Sequence, residues 1–136
     1  MRESQGVDAA RLKSIPLFAS LTQNERERVA RVAEEVEVPA GKKLAMQGDF
    51  AHEFFVIVDG TVEVTKDGEP IAELGPNDFF GEIGLLETER RTASVVAKTP
   101  LSTIVVFAPH FRAVEREMPE VAAKIRTAIR ERLARG

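Results

Sequence analysis

The 136-residue chain contains no cysteine. That absence removes a disulfide framework, a zinc–thiolate site and a thiol nucleophile together, and it fits a reducing compartment. Histidine is scarce too: His52 and His110 are the only two and stand far apart. A metal enzyme on a β roll gathers several histidines with carboxylates on inward-facing strands, so no metal site is expected. No serine sits in a nucleophile elbow and no carboxylate pair stands out as acid and base, which leaves catalysis unsupported. Long apolar runs are missing: a stretch such as Phe54 to Val58 is far too short to span a bilayer. The N-terminus, MRESQGVDAA, lacks the apolar block of a signal peptide. Positive charge is not in excess either. A formal net charge of -3 disfavours a nucleic-acid partner, which usually leaves a basic footprint, yet is too mild for a disordered acidic tail. The expectation is a cytoplasmic chain with no membrane segment.

What is present suits one domain, residues 1–136, with 43% hydrophobic residues to build a core. Helical signals sit at the ends and strand signals between them. The Pro16 stretch LKSIPLFASL reads as a short helix and turn. Thr22 and Glu25 form a capping box, and Val29, Val32, Ala33 and Val36 continue a stripe that predicts a helix over about 22–35. The N-terminal helical segment is thus placed at 1–35. From 36 to 107 the text turns to short β-branched runs: EVEV, KKLA, FFVIVD, TVEVTK, PIAEL, ASVVA and LSTIVVF. Asp59-Gly60 and Asp67-Gly68 are tight-turn pairs. Many short strands at close spacing predict an antiparallel β roll, jelly-roll-like, bracketed by helices. Pro109 opens a helix to about Glu117, and Pro119 opens another to near Arg135, so the C-terminal helices occupy 108–135. No internal repeat, low-complexity segment or flexible linker interrupts the pattern.

One stretch does not belong to the strand text. Between PIAEL and ASVVA, GEIGLLE reads as one or two helical turns, whose N-terminus would present unpaired N–H groups to an anion. Gly81 lets the backbone approach a ligand closely. Glu82 would repel a phosphate but can accept hydrogen bonds from sugar hydroxyls. Arg91 offers a guanidinium fork matched to two phosphate oxygens, Thr92 a hydroxyl, and Ala93 space and an N–H. A sugar phosphate would suit this set. Without such a ligand, Glu82 and Arg91 could equally pair with each other, although burying such a pair stabilises little. Arg90 reads as a solvated neighbour.

FGEIGLLETERRTASVVA resembles the phosphate-binding cassette of the cyclic nucleotide-binding domain family, with residues 80–86 and 91–93 satisfying its pattern. GDFAHEFFVIVDGTVEV resembles the same family's strand hairpin, and RRTASV is most similar to the cassettes of cyclic-nucleotide-gated and hyperpolarisation-activated channels. The resemblance spans roughly residues 12 to 133. It implies a regulatory sensor without catalysis, with cyclic AMP or cyclic GMP as ligand and no further cofactor. Glu82 would bind the ribose 2′-hydroxyl and Arg91 the cyclic phosphate, with Gly81, Ile83, Gly84 and Ala93 lining the phosphate. Thr92 points to acceptance of cyclic GMP without excluding cyclic AMP. The resemblance also implies that Leu85 and Phe111 relay binding to the hinge helix, and that Ile125, Arg126 or Ile129 covers the base when the C-terminal helices close.

The last helix carries Lys124, Arg126, Arg130, Arg132 and Arg135 on a solvated face, and a stripe at Val121, Ile125, Ile129 and Leu133. The stripe is read first as packing, then as a surface for an effector or a homodimer. No output segment such as a helix-turn-helix follows the last helix in this sequence. An interaction module of the same fold that binds no cyclic nucleotide is the competing expectation.

Overall fold

A strand whose apolar residues run without alternation is buried on both faces, and Phe54 to Val58 are such a run. The computed structural model describes residues 3–49, 52–81 and 91–134. In chain order these form β1 (Glu3–Gly6), α1 (Ala9–Lys13), a 3-10 turn (Pro16–Phe18), α2 (Gln23–Ala30), β2 (Ala33–Val38) and β3 (Lys43–Ala45). Then come β4 (Glu53–Asp59), β5 (Val62–Lys66), β6 (Glu69–Leu74), β7 (Phe79–Phe80), β8 (Ser94–Ala97) and β9 (Leu101–Phe107), followed by α3 (Ala108–Glu117) and α4 (Pro119–Ala134).

The strands make a five-stranded sheet in the order β1-β2-β9-β4-β7 and a four-stranded sheet in the order β3-β8-β5-β6. Every pairing is antiparallel. Successive side chains on β4 and β9 therefore alternate between two cores. Phe54, Val56, Ile104 and Val106 face a cluster completed by Leu12, Phe18, Val29, Phe111, Ile125 and Ile129 from the helices. Phe55, Ile57, Leu101 and Val105 face a second cluster with Leu44, Val62, Val95 and Ala97 of the other sheet. The larger sheet is thus a middle layer, roofed by helices on one side and closed into a roll on the other. Thr103, fully buried among these residues, satisfies its hydroxyl on the Val36 carbonyl at 2.9 Å.

The helix read over 22–35 ends at Ala30, and Ala33 already lies in β2. Val29, Ala33 and Val36 are all buried, but Ala33 and Val36 stand on opposite faces of a strand paired with β9 from Ala33↔Val106 to Val38↔Leu101. A short apolar spacing fits either period, and the ladder decided between them. Two strands left no pattern to read: β1 (ESQG) has no apolar alternation, and β7 is two residues long. The β5–β6 hairpin turns through Asp67 and Gly68 at φ 53° and 82°, the pair of positive angles that its Asp-Gly sequence suits. The stripe on α4 packs as expected at Val121, Ile125 and Ile129, while Leu133 stays about half exposed. Among the described residues, no helix is long and apolar enough to cross a membrane.

Two ion pairs tie α4 across the molecule: Lys124 to Glu25 at 2.8 Å and Arg132 to Asp78 at 2.5 Å. Glu25 also closes the capping box, accepting from the Thr22 N–H at 2.8 Å while its own N–H donates to Thr22 Oγ1 at 3.2 Å. The Lys124 ammonium, and after it the Thr22 N–H, hold the Glu25 carboxyl below the usual carboxylate range. Its depressed folded-state pKa means that the pair stabilises the fold above the unfolded value, and that this is lost as pH falls through the folded one. Lys124→Ala is expected to cost up to about 1 kcal/mol at neutral pH and to flatten the acid-side fall in stability. Denaturant titrations of both proteins from neutral into acid pH measure this; parallel curves would assign the pH dependence elsewhere.

Candidate functional site

The cassette is entered from β7, whose two residues split between the cores. Phe80 stacks on Phe55 with ring centroids 4.6 Å apart, and Phe79 tilts against Phe54 at 5.6 Å. The pairings Phe55↔Phe80 and Val56↔Phe79 thereby fix where Gly81 emerges beside the start of β4. Gly81 has φ 81°, and a Cβ there would lie 2.3 Å from the Glu53 carbonyl oxygen and 3.1 Å from Arg91 Nη1. Glycine is required at this position on both counts: the backbone angle and the space.

Arg91 returns to the same place from the other end. Its N–H donates to the Asp49 carbonyl at 2.6 Å, and its carbonyl accepts the Gly48 N–H at 2.9 Å, so one turn brackets its backbone. Its Nη2 reaches the Glu53 carbonyl at 3.3 Å, which lays the guanidinium across the start of β4 next to Gly81. Thr92 is exposed and Ala93 half-buried before β8 begins at Ser94.

Gly81, Arg91, Thr92 and Ala93 line one end of a cavity of about 280 Å³. Its other walls are Ala45, Val64, Ile71, Ala72, Leu74, Phe79, Phe80 and Val95. The hollow thus has a cationic, backbone-rich end and an apolar remainder, at the lower edge of the ~300–1,000 Å³ common for small-molecule sites. Arg91 also borders a second hollow of about 440 Å³ with Lys43, Met46, Asp49, His52 and Glu53. Two carboxylates in that lining oppose an anion, whereas the described lining of the smaller cavity holds none. The smaller cavity is therefore the better host for a phosphate with an apolar, flat appendage.

The structure brings together four of the candidate ligand residues: Gly81, Arg91, Thr92 and Ala93. Glu82, Ile83, Gly84 and Leu85, with the helical turn read there, lie outside the described residues. The three candidate lid residues are not at the cavity. Ile125 and Ile129 are buried in the helix-side core, and Arg126 pairs with Glu115 while its guanidinium carbon stands 6.0 Å from the Phe111 ring centroid. Glu115 also accepts Arg112 Nη1 at 2.8 Å, so one carboxylate joins two cations of α3 and α4. Phe111, the proposed relay residue, is buried in that same core.

The sequence reading missed the apolar wall. Val64 and Leu74 could have been found from the alternation of β5 and β6, which sets Val62, Val64, Ala72 and Leu74 in register across the hairpin. Ile71 is 57% exposed, on a strand exposed from Glu69 to Glu73. An exposed branched side chain beside a cavity is the signal a sequence alone does not carry.

A family model described as the cyclic nucleotide-binding domain matches residues 35–117. A cyclic nucleotide-gated potassium channel of Rhizobium etli is 34% identical over 119 residues, covering 88% of this chain and 33% of the channel. The chain spans between about a quarter and a third of the length of the curated relatives it matches. Among solved structures, a cyclic nucleotide-binding domain from Methylobacillus flagellatus superposes with a TM-score of 0.85 at 20% identity, covering 98% of this chain and 82% of its own. The regulatory subunit of a cAMP-independent protein kinase A from Trypanosoma brucei gives 0.77 at 22% identity, over 93% and 44% respectively. Both structural likenesses are of fold.

Gly81→Ala is expected to destabilise the protein by at least about 1–2 kcal/mol from the backbone angle alone, and further because the new Cβ would collide with the Glu53 backbone carbonyl. Gly75→Ala is the control, because its angle is ordinary and nothing lies within 4 Å of a new Cβ. Equal melting temperatures for the two variants would contradict the close approach described.

Proposed function

Because the chain belongs to the cyclic nucleotide-binding domain family, we propose that it is a regulatory sensor that binds cyclic AMP or cyclic GMP in the cavity beside Arg91. The observation that carries this reading is the guanidinium held against Gly81 at the mouth of an apolar hollow. Arg91 takes the cyclic phosphate; its planar fork matches two oxygens in a bidentate pair, a geometry a lysine does not offer. The N–H groups around Gly81 and Ala93 complete the anion end. Glu82 takes the ribose 2′-hydroxyl, with Ile83 and Gly84 along the phosphate. The purine lies along Val64, Ile71, Ala72 and Leu74, where burial of its faces supplies affinity without reading its edge. The hydroxyl of Thr92, exposed at the same end, supports acceptance of cyclic GMP without excluding cyclic AMP.

Signalling follows by closure of α3 and α4 over the occupied cavity, with Ile125, Arg126 or Ile129 as base cover and Leu85 with Phe111 as relay. Ligand can drive closure only by its differential affinity for the closed state, because α4 must first leave its seat. That seat consists of the buried Ile125 and Ile129 and the pairs Lys124–Glu25 and Arg132–Asp78. The receiver is an effector protein or a second copy engaged through α4, in a cytoplasmic setting. No catalytic step is proposed.

A ligand of roughly twenty heavy atoms at about 0.3 kcal/mol per atom gives a Kd of tens of micromolar or tighter. Calorimetric titration with cyclic AMP and with cyclic GMP tests this. Arg91→Ala is expected to weaken binding about 10- to 100-fold, and Arg91→Lys to fall between. The competing reading, an interaction module without nucleotide, has the cAMP-independent regulatory subunit as a precedent in fold. Absence of heat from both nucleotides at high micromolar concentration would favour it.

A further inference from the structure

We propose that Gln47 is a positioning residue for Arg91, acting through a side-chain clasp on Asp67 at the tip of the β5–β6 hairpin. The proposal rests on the reading of Arg91 as the phosphate ligand. It adds the residues that hold Arg91 in place, neither of which lines the cavity.

The clasp uses both ends of one amide. Gln47 Nε2 donates to Asp67 Oδ1 at 2.8 Å, and Gln47 Oε1 accepts the Asp67 N–H at 2.9 Å. A carboxylate only accepts and an N–H only donates, so the orientation of the amide is set by its partners. The Asp67 N–H is available because the hairpin ladder closes at Lys66↔Glu69, one residue outside it, with Asp67 at positive φ. The Gln47 backbone N–H meanwhile donates to Ser94 Oγ at 2.9 Å, at the first residue of β8.

The next two residues are the bracket. Gly48 donates to the Arg91 carbonyl, Asp49 accepts the Arg91 N–H, and the turn is closed by Asp49 N–H on the Met46 carbonyl at 3.1 Å. Gln47 therefore stands at the junction of three strands' ends: it leads into the turn that grips Arg91, and it is pinned to β8 and to the β5–β6 tip. Freed from the clasp, the turn keeps its own closing bond and the Ser94 contact but loses its tie to the hairpin tip. Residue 91 is then held to the sheet through β8 alone and gains freedom. The bonds are exposed to water competition, so the expected effect is moderate.

Gln47→Ala removes both bonds of the clasp, while Asp67→Gly, which keeps the positive φ and the backbone N–H at 67, removes the carboxylate half. Each is expected to speed amide hydrogen exchange at Gly48 and Arg91 while the protein stays folded, and to weaken cyclic AMP and cyclic GMP binding about three- to ten-fold. The double variant is expected to be no weaker than Gln47→Ala alone, and Asp67→Asn, which keeps the accepting oxygen, to bind as wild type does. In an Arg91→Ala background, Gln47→Ala should change affinity no further, which a general loss of stability would not reproduce. Unchanged exchange at Gly48 and Arg91 in folded Gln47→Ala overturns the proposal whether or not a nucleotide binds. Faster exchange with unchanged affinity overturns it as well. If wild type binds neither nucleotide, the nucleotide reading fails, and the exchange result alone decides whether the clasp holds Arg91.

Discussion

The antiparallel pairing of β4 with β9 is the constraint on which the rest of the structure depends. It runs from Glu53↔Phe107 to Asp59↔Ser102, and its two strands contribute side chains to both cores. Each residue step along either strand changes the core being served, so a slip of one position would exchange Phe54 with Phe55 and Ile104 with Val105 across the sheet. Register is consequently fixed by packing from both sides. That register sets where Glu53 begins β4, where β7 docks, and hence where Gly81 and Arg91 meet.

The site inherits this rigidity at one end and less of it at the other. Gly81 follows directly from a strand whose aromatic residues are locked against Phe54 and Phe55. Arg91 is held instead by a turn between β3 and β4, through backbone bonds at Gly48 and Asp49. A cationic fork whose backbone is secured on both sides loses little freedom on meeting an anion, and preorganisation of this type favours binding. The apolar wall on β5 and β6 is different in character. It belongs to an edge strand, exposed from Glu69 to Glu73, and offers surface rather than polar contacts.

Much of the architecture was legible in the sequence because each signal was local. The Asp67-Gly68 turn, the Thr22–Glu25 box, the prolines opening α3 and α4 and the unbroken run of β4 each depend on a few neighbouring residues. The errors arose where a distant partner decided. Ala33 and Val36 satisfy a helical spacing until β9 recruits them into a ladder, and Phe79-Phe80 becomes a strand only because β4 lies beside it. The grouping of Gly81, Arg91, Thr92 and Ala93 at one cavity was legible for a related reason, since they fall within one short stretch. The cavity's apolar wall was not, because Ile71, Val64 and Val95 come from three strands and meet only in the closed roll. Ile125 and Ile129 of α4 pack into the helix-side core, and periodicity marks a face without naming its partner.

Phe79 touches the cavity, the helix-side core and the groove where Ala128 and Arg132 pass over the 75–78 turn. The floor of the hollow and the berth of the last helix are in this sense the two sides of a single ring. A smaller side chain at this position would loosen both together, and no assay of either alone could apportion the damage.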